Sequence, residues 1–426
     1  MFNRPPSKSR AHKICVMAAS KSPGELPSKR WTSFDVWNYN GMKERLQTAL
    51  IKIDKSALIH HAQRIKGQEL TMSEPFSAGQ YWICFEMVAE DKSIVIARVR
   101  LPRHPDIPVT VSEEDVAYSI GCAVAAMEFI RLRLNAVSLP RVYACEGMGS
   151  RQAAIVGAPY MLIEGFYGNT LQDVEFDICD LPILTQEHII AQWTTVQAEL
   201  ATVAYPQIGT ICSVSETGDP IIGKLAAGEL MKLGPFSRAS DYFTALGVAA
   251  TNNTATRLGA FVFLDIVETT DLFGRSATEE FFPFNHMDLG TQNILVDEHF
   301  DFVAIIDWKF AQTAPWQVIH YPMPFPLLSP TEEILRDPNH IAYSNFRDAE
   351  RELEGKGRQL GGSFTTTVDS PASRIYACFM NIGRLPAADE DLVHEMAQLA
   401  FGLNPQEAED YVRKVERRHC LSTGAT

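Results

Sequence analysis

The chain has 426 residues, 46% of them hydrophobic and 21% charged, the balance of a globular protein with an ample core. Its net charge of −14, from 38 basic and 52 acidic residues, argues against a nucleic-acid binder, which needs a basic footprint. No apolar run reaches the roughly 18 residues of a membrane span; the stretch LGAFVFLDIV is shorter and holds Asp265. Eight cysteines lie singly with no Cys-x-x-Cys pair, and Cys84, Cys122, Cys145 and Cys378 have apolar or aromatic neighbours. They read as buried free thiols of a reducing compartment, not as a disulfide frame or zinc site.

The first thirty residues carry seven Lys/Arg and one acid, Glu25, with Pro5-Pro6 and Pro23 interrupting any long helix. Residues 1–33 are expected to be a disordered arm of a cytoplasmic protein, with a mitochondrial presequence as the alternative. From Phe34 to about Lys66 the apolar spacing is helical. Two strands follow, Tyr81–Val88 and Ser93–Leu101, joined by a turn at Glu90-Asp91-Lys92. Ser112, with Glu113, Glu114 and Asp115 behind it, opens a helix that runs to about Leu134. RVYACEG and APYMLIEGF read as strands, and Gly147–Ser150 between them as a hairpin turn at which no helix begins. A long amphipathic helix, LTQEHIIAQWTTVQAELATVAY, then leads a remainder in which helices alternate with Pro/Gly-rich loops. Two short β-rich runs, NILVD and FVAIIDW, flank a turn at Glu298-His299. The pattern predicts an α+β protein with a strand-rich unit over 34–167 and a larger, mainly helical one over 168–426. Asp337–Ser370, polar and charged, reads as an insertion or mobile loop. His60-His61 are expected at the surface and Phe281, Phe282 and Phe284 as core packing.

The chemistry concentrates in NHMDLGTQNILVD, Asn285 to Asp297, and in IIDWK, which follows closely. Asp288 followed by Asn293 has the His-x-Asp-x-x-x-x-Asn spacing of phosphoryl-transfer loops. In such loops the Asp accepts the proton of the attacking hydroxyl, while the Asn and a later Asp hold the Mg²⁺ on the nucleotide phosphates. Hard oxygen ligands suit that ion. Asp307, ending the apolar run VAIID, fits the later Asp. Each residue alone could serve a turn or end a strand; the set in this order points to a site.

These segments, together with the Asp307-Trp308 pair and the AQTAPW that follows, resemble the aminoglycoside phosphotransferase and choline kinase-like family, particularly its divergent branch abundant in fungi. The resemblance spans roughly Phe76 to Pro326. It implies a bilobal protein-kinase-like fold, with a small antiparallel-sheet N-lobe and a helical C-lobe. It also implies ATP as phosphoryl donor, Mg²⁺ as cofactor and a small-molecule hydroxyl as acceptor. Carried over by position, Asp288 corresponds to the base, His286 to the histidine bracing its loop, and Asn293 and Asp307 to the metal ligands. The Asp-Trp pair and the lack of an Ala-Pro-Glu-like segment speak against a protein kinase.

In the nucleotide half, FSAGQYW takes the place of the phosphate-covering loop, with Ser77 and Gly79 in it. Arg98 and Arg100 share one strand face because they are two apart. Arg98 stands where the resemblance puts a phosphate-pairing lysine, and Arg100 is the second candidate. PYMLIEGFYG resembles the inter-lobe hinge, with Glu164 and Phe166 meeting the adenine by their backbones. One departure is plain: the helix over 112–134 has Gly121-Cys122-Ala123 where a glutamate should hold the phosphate-pairing cation. Either another carboxylate supports Arg98, or the chain is an impaired pseudokinase that binds nucleotide or a partner. The acceptor's identity and the oligomeric state leave no mark in the sequence.

Overall fold

The computed structural model describes residues 26–29, 42–79, 81–103, 111–134, 138–175, 178–274, 281–319, 348, 351, 370–384 and 386–422. Most of the predicted N-terminal arm and nearly all of the predicted insertion at 337–370 lie outside the described residues.

The helical spacing before Lys66 resolves into two helices, α1 (Met42–Lys52) and α2 (Lys55–Lys66). Asp54 causes the break: its carboxylate accepts the Ala57 N–H at 2.9 Å and so caps α2, which Gly67 ends in the left-handed region. Next comes a six-stranded antiparallel sheet of β1 (Leu70–Met72), β2 (Ser77–Ala78), β3 (Trp82–Ala89), β4 (Ile94–Arg100), β5 (Val142–Glu146) and β6 (Tyr160–Gly165). The strand order is β1-β3-β4-β6-β5, with β2 also on β3. Period-two alternation sends Ile83, Phe85, Met87, Val95, Ala97 and Val99 into a core shared with Leu46, Ala49, Leu58 and Ala62 of the two helices. On the opposite face Cys84 pairs with Arg98, and Trp82 with Arg100, in register. Helix α3 (Glu113–Arg133) starts in a capping box, with the Ser112 N–H donating to Asp115 and the Asp115 N–H donating to Ser112.

Two expectations need correction. Gly147–Ser150 does not make a hairpin turn: the Ser150 hydroxyl accepts the Ala153 N–H at 2.9 Å and starts α4 (Arg151–Val156), which buries Ala153 and Val156. A serine N-cap ahead of a short apolar stretch outweighed the glycines. Cys145 is exposed, whereas Cys122 and Cys378 are buried and Cys84 partly so. Ahead of the sheet, Pro27–Lys29 form a 3-10 turn on β3, where the Ser28 N–H and hydroxyl donate to the Glu86 carboxylate at 2.9 and 2.8 Å. Glu86 is buried, and these bonds satisfy it there.

The rest of the chain is mainly helical. β7 (Asn169–Thr170), α5 (Leu171–Val174), α6 (Ile183–Ala201), β8 (Ala204–Tyr205) and the hairpin β9 (Thr210–Val214)–β10 (Pro220–Gly223) lead to α7 (Ala239–Ala250) and α8 (Arg257–Thr269). Four short strands follow, β11 (Phe282–Asn285), β12 (Ile294–Val296), β13 (Phe302–Ile305) and β14 (Gln312–Thr313), then α9 (Pro371–Asn381), α10 (Asp389–Phe401) and α11 (Pro405–Ser422). One core joins α3 and α6 to Phe284, Leu289, Ile294 and Trp308. A second gathers α7 to α11, with Phe263 stacked on Phe379 at 4.1 Å. Asp265, which interrupts the apolar face of α8, receives Tyr411 and Arg418 of α11 and so fastens the last helix. The architecture is α+β, with antiparallel sheets and a mainly helical remainder. Two small sheets, β14-β11-β8 and β13-β12-β7, carry the loops that matter for chemistry.

Candidate active site

The segment 286–293 leaves β11 and enters β12 through a 3-10 turn, Thr291–Asn293. Asn285 anchors its start: the side-chain amide donates to the Val318 and Ile319 carbonyls at 3.3 Å, and its oxygen accepts the Met287 N–H at 3.1 Å. That bond supports Met287 at a φ of +63°. His286 is fully buried, with Nε2 donating to the Ile306 carbonyl at 3.0 Å and Nδ1 accepting the Asp288 N–H at 3.3 Å. Burial pushes its pKa down to about 4, so the ring stays neutral in one tautomer and ties the loop to the strand end before Asp307.

Asp288 is held at three points. The Asn293 amide donates to its backbone carbonyl at 2.7 Å and to Oδ2 at 3.1 Å, and Gln292 donates to Oδ1 at 3.3 Å. Burial, with the Asp307 charge adding to it, pushes the Asp288 carboxyl up to about 6. Because the Asn293 nitrogen is occupied with Asp288, the oxygen of that amide is the atom left to meet a cation.

Asp307 takes the left-handed conformation at φ +63°, directly ahead of the 3-10 turn Trp308–Phe310. Trp308 is buried beside His286 at 4.7 Å between ring centroids, and its Nε1 donates to the Ile305 carbonyl at 2.9 Å. An indole with a hydrogen-bonding edge fills this corner, which accounts for the Asp-Trp pair. The Asp307 carboxylate faces two cations: Arg98 Nη2 donates to Oδ1 at 3.3 Å, and Lys309 Nζ lies 3.9 Å from Oδ2. Burial alone would raise its pKa; Arg98 and Lys309 outweigh that and hold it below the usual carboxylate range.

The sheet supplies the facing wall. Arg98 lies over the Trp82 ring at 5.3 Å, and Arg100 over Tyr81 at 4.9 Å and Trp82 at 5.4 Å. Among the described residues the carboxylate on Arg98 is Asp307, not an acid of α3. Helix α3 packs instead against the turn that follows Asp307. Ser77 and Gly79 sit at β2, where the Gly79 N–H donates to the Trp82 carbonyl at 2.9 Å and closes the loop. In the segment expected to be the hinge, Glu164 donates its N–H to the Arg141 carbonyl at 2.8 Å, and its carboxylate accepts the Arg141 N–H at 3.2 Å. A donor for a base at this edge would therefore have to come from further along, as at Phe166. Gly168 follows in a tight place, since a Cβ would stand 3.0 Å from the Val296 carbonyl oxygen.

The structure thus brings Asp288, His286 and Asn293 into one hydrogen-bonded cluster, tied through the Ile306 carbonyl to the strand end before Asp307, which bonds Arg98, with Ser77, Gly79, Glu164 and Phe166 on other segments. The sequence reading missed Gln292, Tyr81, Trp82 and Lys309. For Lys309 a signal existed, a cation two residues past Asp307 inside an otherwise apolar and aromatic run. Among the described residues there is no group of three or more His, Cys, Asp or Glu that could hold a metal ion. Mg²⁺ takes one or two protein oxygens and completes its shell with phosphates and water. The donor set Asp307 and Asn293 fits such an ion.

No protein-family profile matches the chain, and no curated protein is significantly similar to it in sequence. Solved structures align with most of the chain. A candidate fructosamine-3-kinase from Thermobifida fusca is 12% identical over 81% of this chain and 99% of its own, with a TM-score of 0.46. An amicoumacin kinase in complex with AMP-PNP and Ca²⁺ is 11% identical over 84% and 97%, with a TM-score of 0.43. An ethanolamine kinase from Plasmodium vivax is 10% identical over 81% and 85%, with a TM-score of 0.37. At that distance the functional reading rests on the side chains of the site.

Proposed function

We propose that the chain is an ATP- and Mg²⁺-dependent phosphotransferase acting on a hydroxyl of a small molecule. The observation that carries this reading is the placement of Asp288: a carboxylate held by two side-chain amides beside a buried neutral histidine, next to a second carboxylate that holds two cations. Asp288 would accept the proton of the acceptor hydroxyl as its oxygen bonds the γ-phosphorus of ATP and the bond to the departing ADP breaks, and the amides of Gln292 and Asn293 would keep the Asp288 oxygens aimed. His286 would hold the loop without competing for the proton. Asp307 and the Asn293 oxygen would hold the divalent ion, and Arg98 would meet the nucleotide phosphates. When bound, the metal and ATP supply the transferable phosphoryl group and neutralise charge on its oxygens. In this reading residues 34–167 cover the nucleotide, and 168–426 provide the base and the acceptor pocket.

The test is phosphate-ester formation from ATP and a panel of small polar alcohols and amino alcohols, followed by ³¹P NMR. The wild type should yield an ester with at least one acceptor, in a Mg²⁺-dependent way, and Asp288→Asn should not. No ester with any acceptor, together with no Mg²⁺-dependent ATP turnover, would remove the proposal.

A further inference from the structure

Lys309 is a largely covered cation two residues beyond Asp307. The left-handed backbone at Asp307 and the turn that follows bend the chain back, so that Lys309 points across the cleft towards the sheet. Its ammonium lies 4.4 Å from the centroid of the Tyr81 ring and 4.5 Å from that of Phe310. The side chain is only 26% exposed. Among the described residues Nζ makes no hydrogen bond; its nearest anion, Asp307 Oδ2, is 3.9 Å away, beyond hydrogen-bonding reach. An ammonium has three donors, so those not engaged within the protein are open to an incoming anion.

The surroundings say which acceptors. Tyr81 carries Lys309 and Arg100, one cation from each side of the cleft. Arg98 and Lys309 both face the Asp307 carboxylate, so one anion is shared by two cations. A divalent ion at Asp307 would take over that carboxylate and repel both Arg98 and Lys309 from it, freeing them for the anion that the metal brings. The two cations differ in position. Arg98 comes from the middle of β4, whereas Lys309 follows the metal-ligand candidate by two residues and its charge is felt at Asp288. If Asp288 is the base, the cation whose charge reaches it would stand nearer the transferred phosphoryl group than Arg98 does.

We infer that Lys309 is a phosphate-binding residue that hydrogen-bonds the terminal phosphoryl oxygens of the bound nucleoside triphosphate, with the Tyr81 ring as its rest. The inference builds on the phosphotransferase reading. It distinguishes a triphosphate from a diphosphate: the terminal group contacts Lys309, and the inner two contact Arg98.

The experiment is calorimetric titration of the wild type, Lys309→Met and Lys309→Arg with Mg²⁺–AMP-PNP and with Mg²⁺–ADP, with melting temperatures as a check on folding. Lys309→Met should bind AMP-PNP roughly tenfold or more weaker, the usual worth of a charged hydrogen bond, with ADP affinity and melting temperature little changed. Lys309→Arg should recover most of the loss. Three results would overturn the inference: Lys309→Met binding AMP-PNP like the wild type, equal weakening for ADP and AMP-PNP, or an arginine variant as impaired as the methionine one. If the wild type binds no Mg²⁺–nucleotide at all, the phosphotransferase reading fails and takes the Lys309 assignment with it. If the wild type binds and turns over while Lys309→Met matches it, only the Lys309 assignment fails.

Discussion

In the candidate catalytic loop Asp288, Asn293 and His286 are fastened to one another and to the Ile306 carbonyl by direct hydrogen bonds of 2.7 to 3.3 Å. Across the cleft, Arg98 and Arg100 rest on the rings of Trp82 and Tyr81, and one 3.3 Å bond from Arg98 to Asp307 joins the two sides. The first region is shaped in advance of any ligand, because its polar groups satisfy each other in a buried setting. The second leaves its cations on surfaces that hold them without using up their donors, so they can turn to a phosphate at little cost. A fixed base and movable cations are what positioning plus charge neutralisation require of a phosphoryl-transfer site.

The largest effect should come from the residue that links the two regions. Asp307→Ala should remove the Mg²⁺-dependent part of nucleotide binding and leave metal-free binding at least as strong, since Arg98 and Lys309 lose their internal counter-ion. Thermal shift with ATP, with and without Mg²⁺, reads this out; an unchanged Mg²⁺ increment in the variant would make Asp307 a mere strand terminator. Asp288→Asn should lower turnover by on the order of 10² to 10⁴ while nucleotide affinity stays near that of the wild type. Wild-type turnover in this variant would sink the assignment of the base. On the cation side, Trp82→Ala should raise the KM for ATP by roughly two- to tenfold, the worth of a cation–π platform, with kcat less affected. A kcat loss of the Asp288→Asn kind would mean that the aromatic wall is as rigidly coupled as the loop.

The smallest effect concerns pH. His286, pushed down to about 4, refuses a proton that the unfolded chain takes near 6.5, so its contribution to stability is lost as pH falls from 6.5 towards 4. Asp288, pushed up to about 6, works the other way: the unfolded chain ionises first, so stability falls as pH rises from about 4 to 6. The two slopes oppose each other in the wild type. Asp288→Asn should therefore lose melting temperature more steeply than the wild type on going from pH 6.5 to 4.5. Parallel melting curves for the two proteins across that range would count against the burial assigned to these groups.

What was legible in the sequence was local. The spacing of His286, Asp288, Asn293 and Asp307 lies within 22 residues, and the strand alternation that put Arg98 and Arg100 on one face needs only neighbours. The α+β pattern and the start of α3 at Ser112 were readable for the same reason. What escaped depends on which distant segments meet. The carboxylate on Arg98 comes from 209 residues away, not from α3, and no spacing rule announces it. Ser28 capping Glu86 and Tyr81 lying under Lys309 are contacts of the same kind. The break at Asp54 and helix α4 were missed for a different reason: each is decided by one capping side chain within a pattern that also suited a continuous helix or a glycine turn.

The most direct test of the account is a calorimetric titration of the wild-type protein with AMP-PNP, once with Mg²⁺ and once with the metal chelated. The account predicts saturable one-to-one binding that weakens markedly when Mg²⁺ is removed. Equal affinity in both conditions, or no binding with Mg²⁺ present at millimolar nucleotide, would contradict the claim that Asp307 and Asn293 hold a metal–nucleotide beside Asp288.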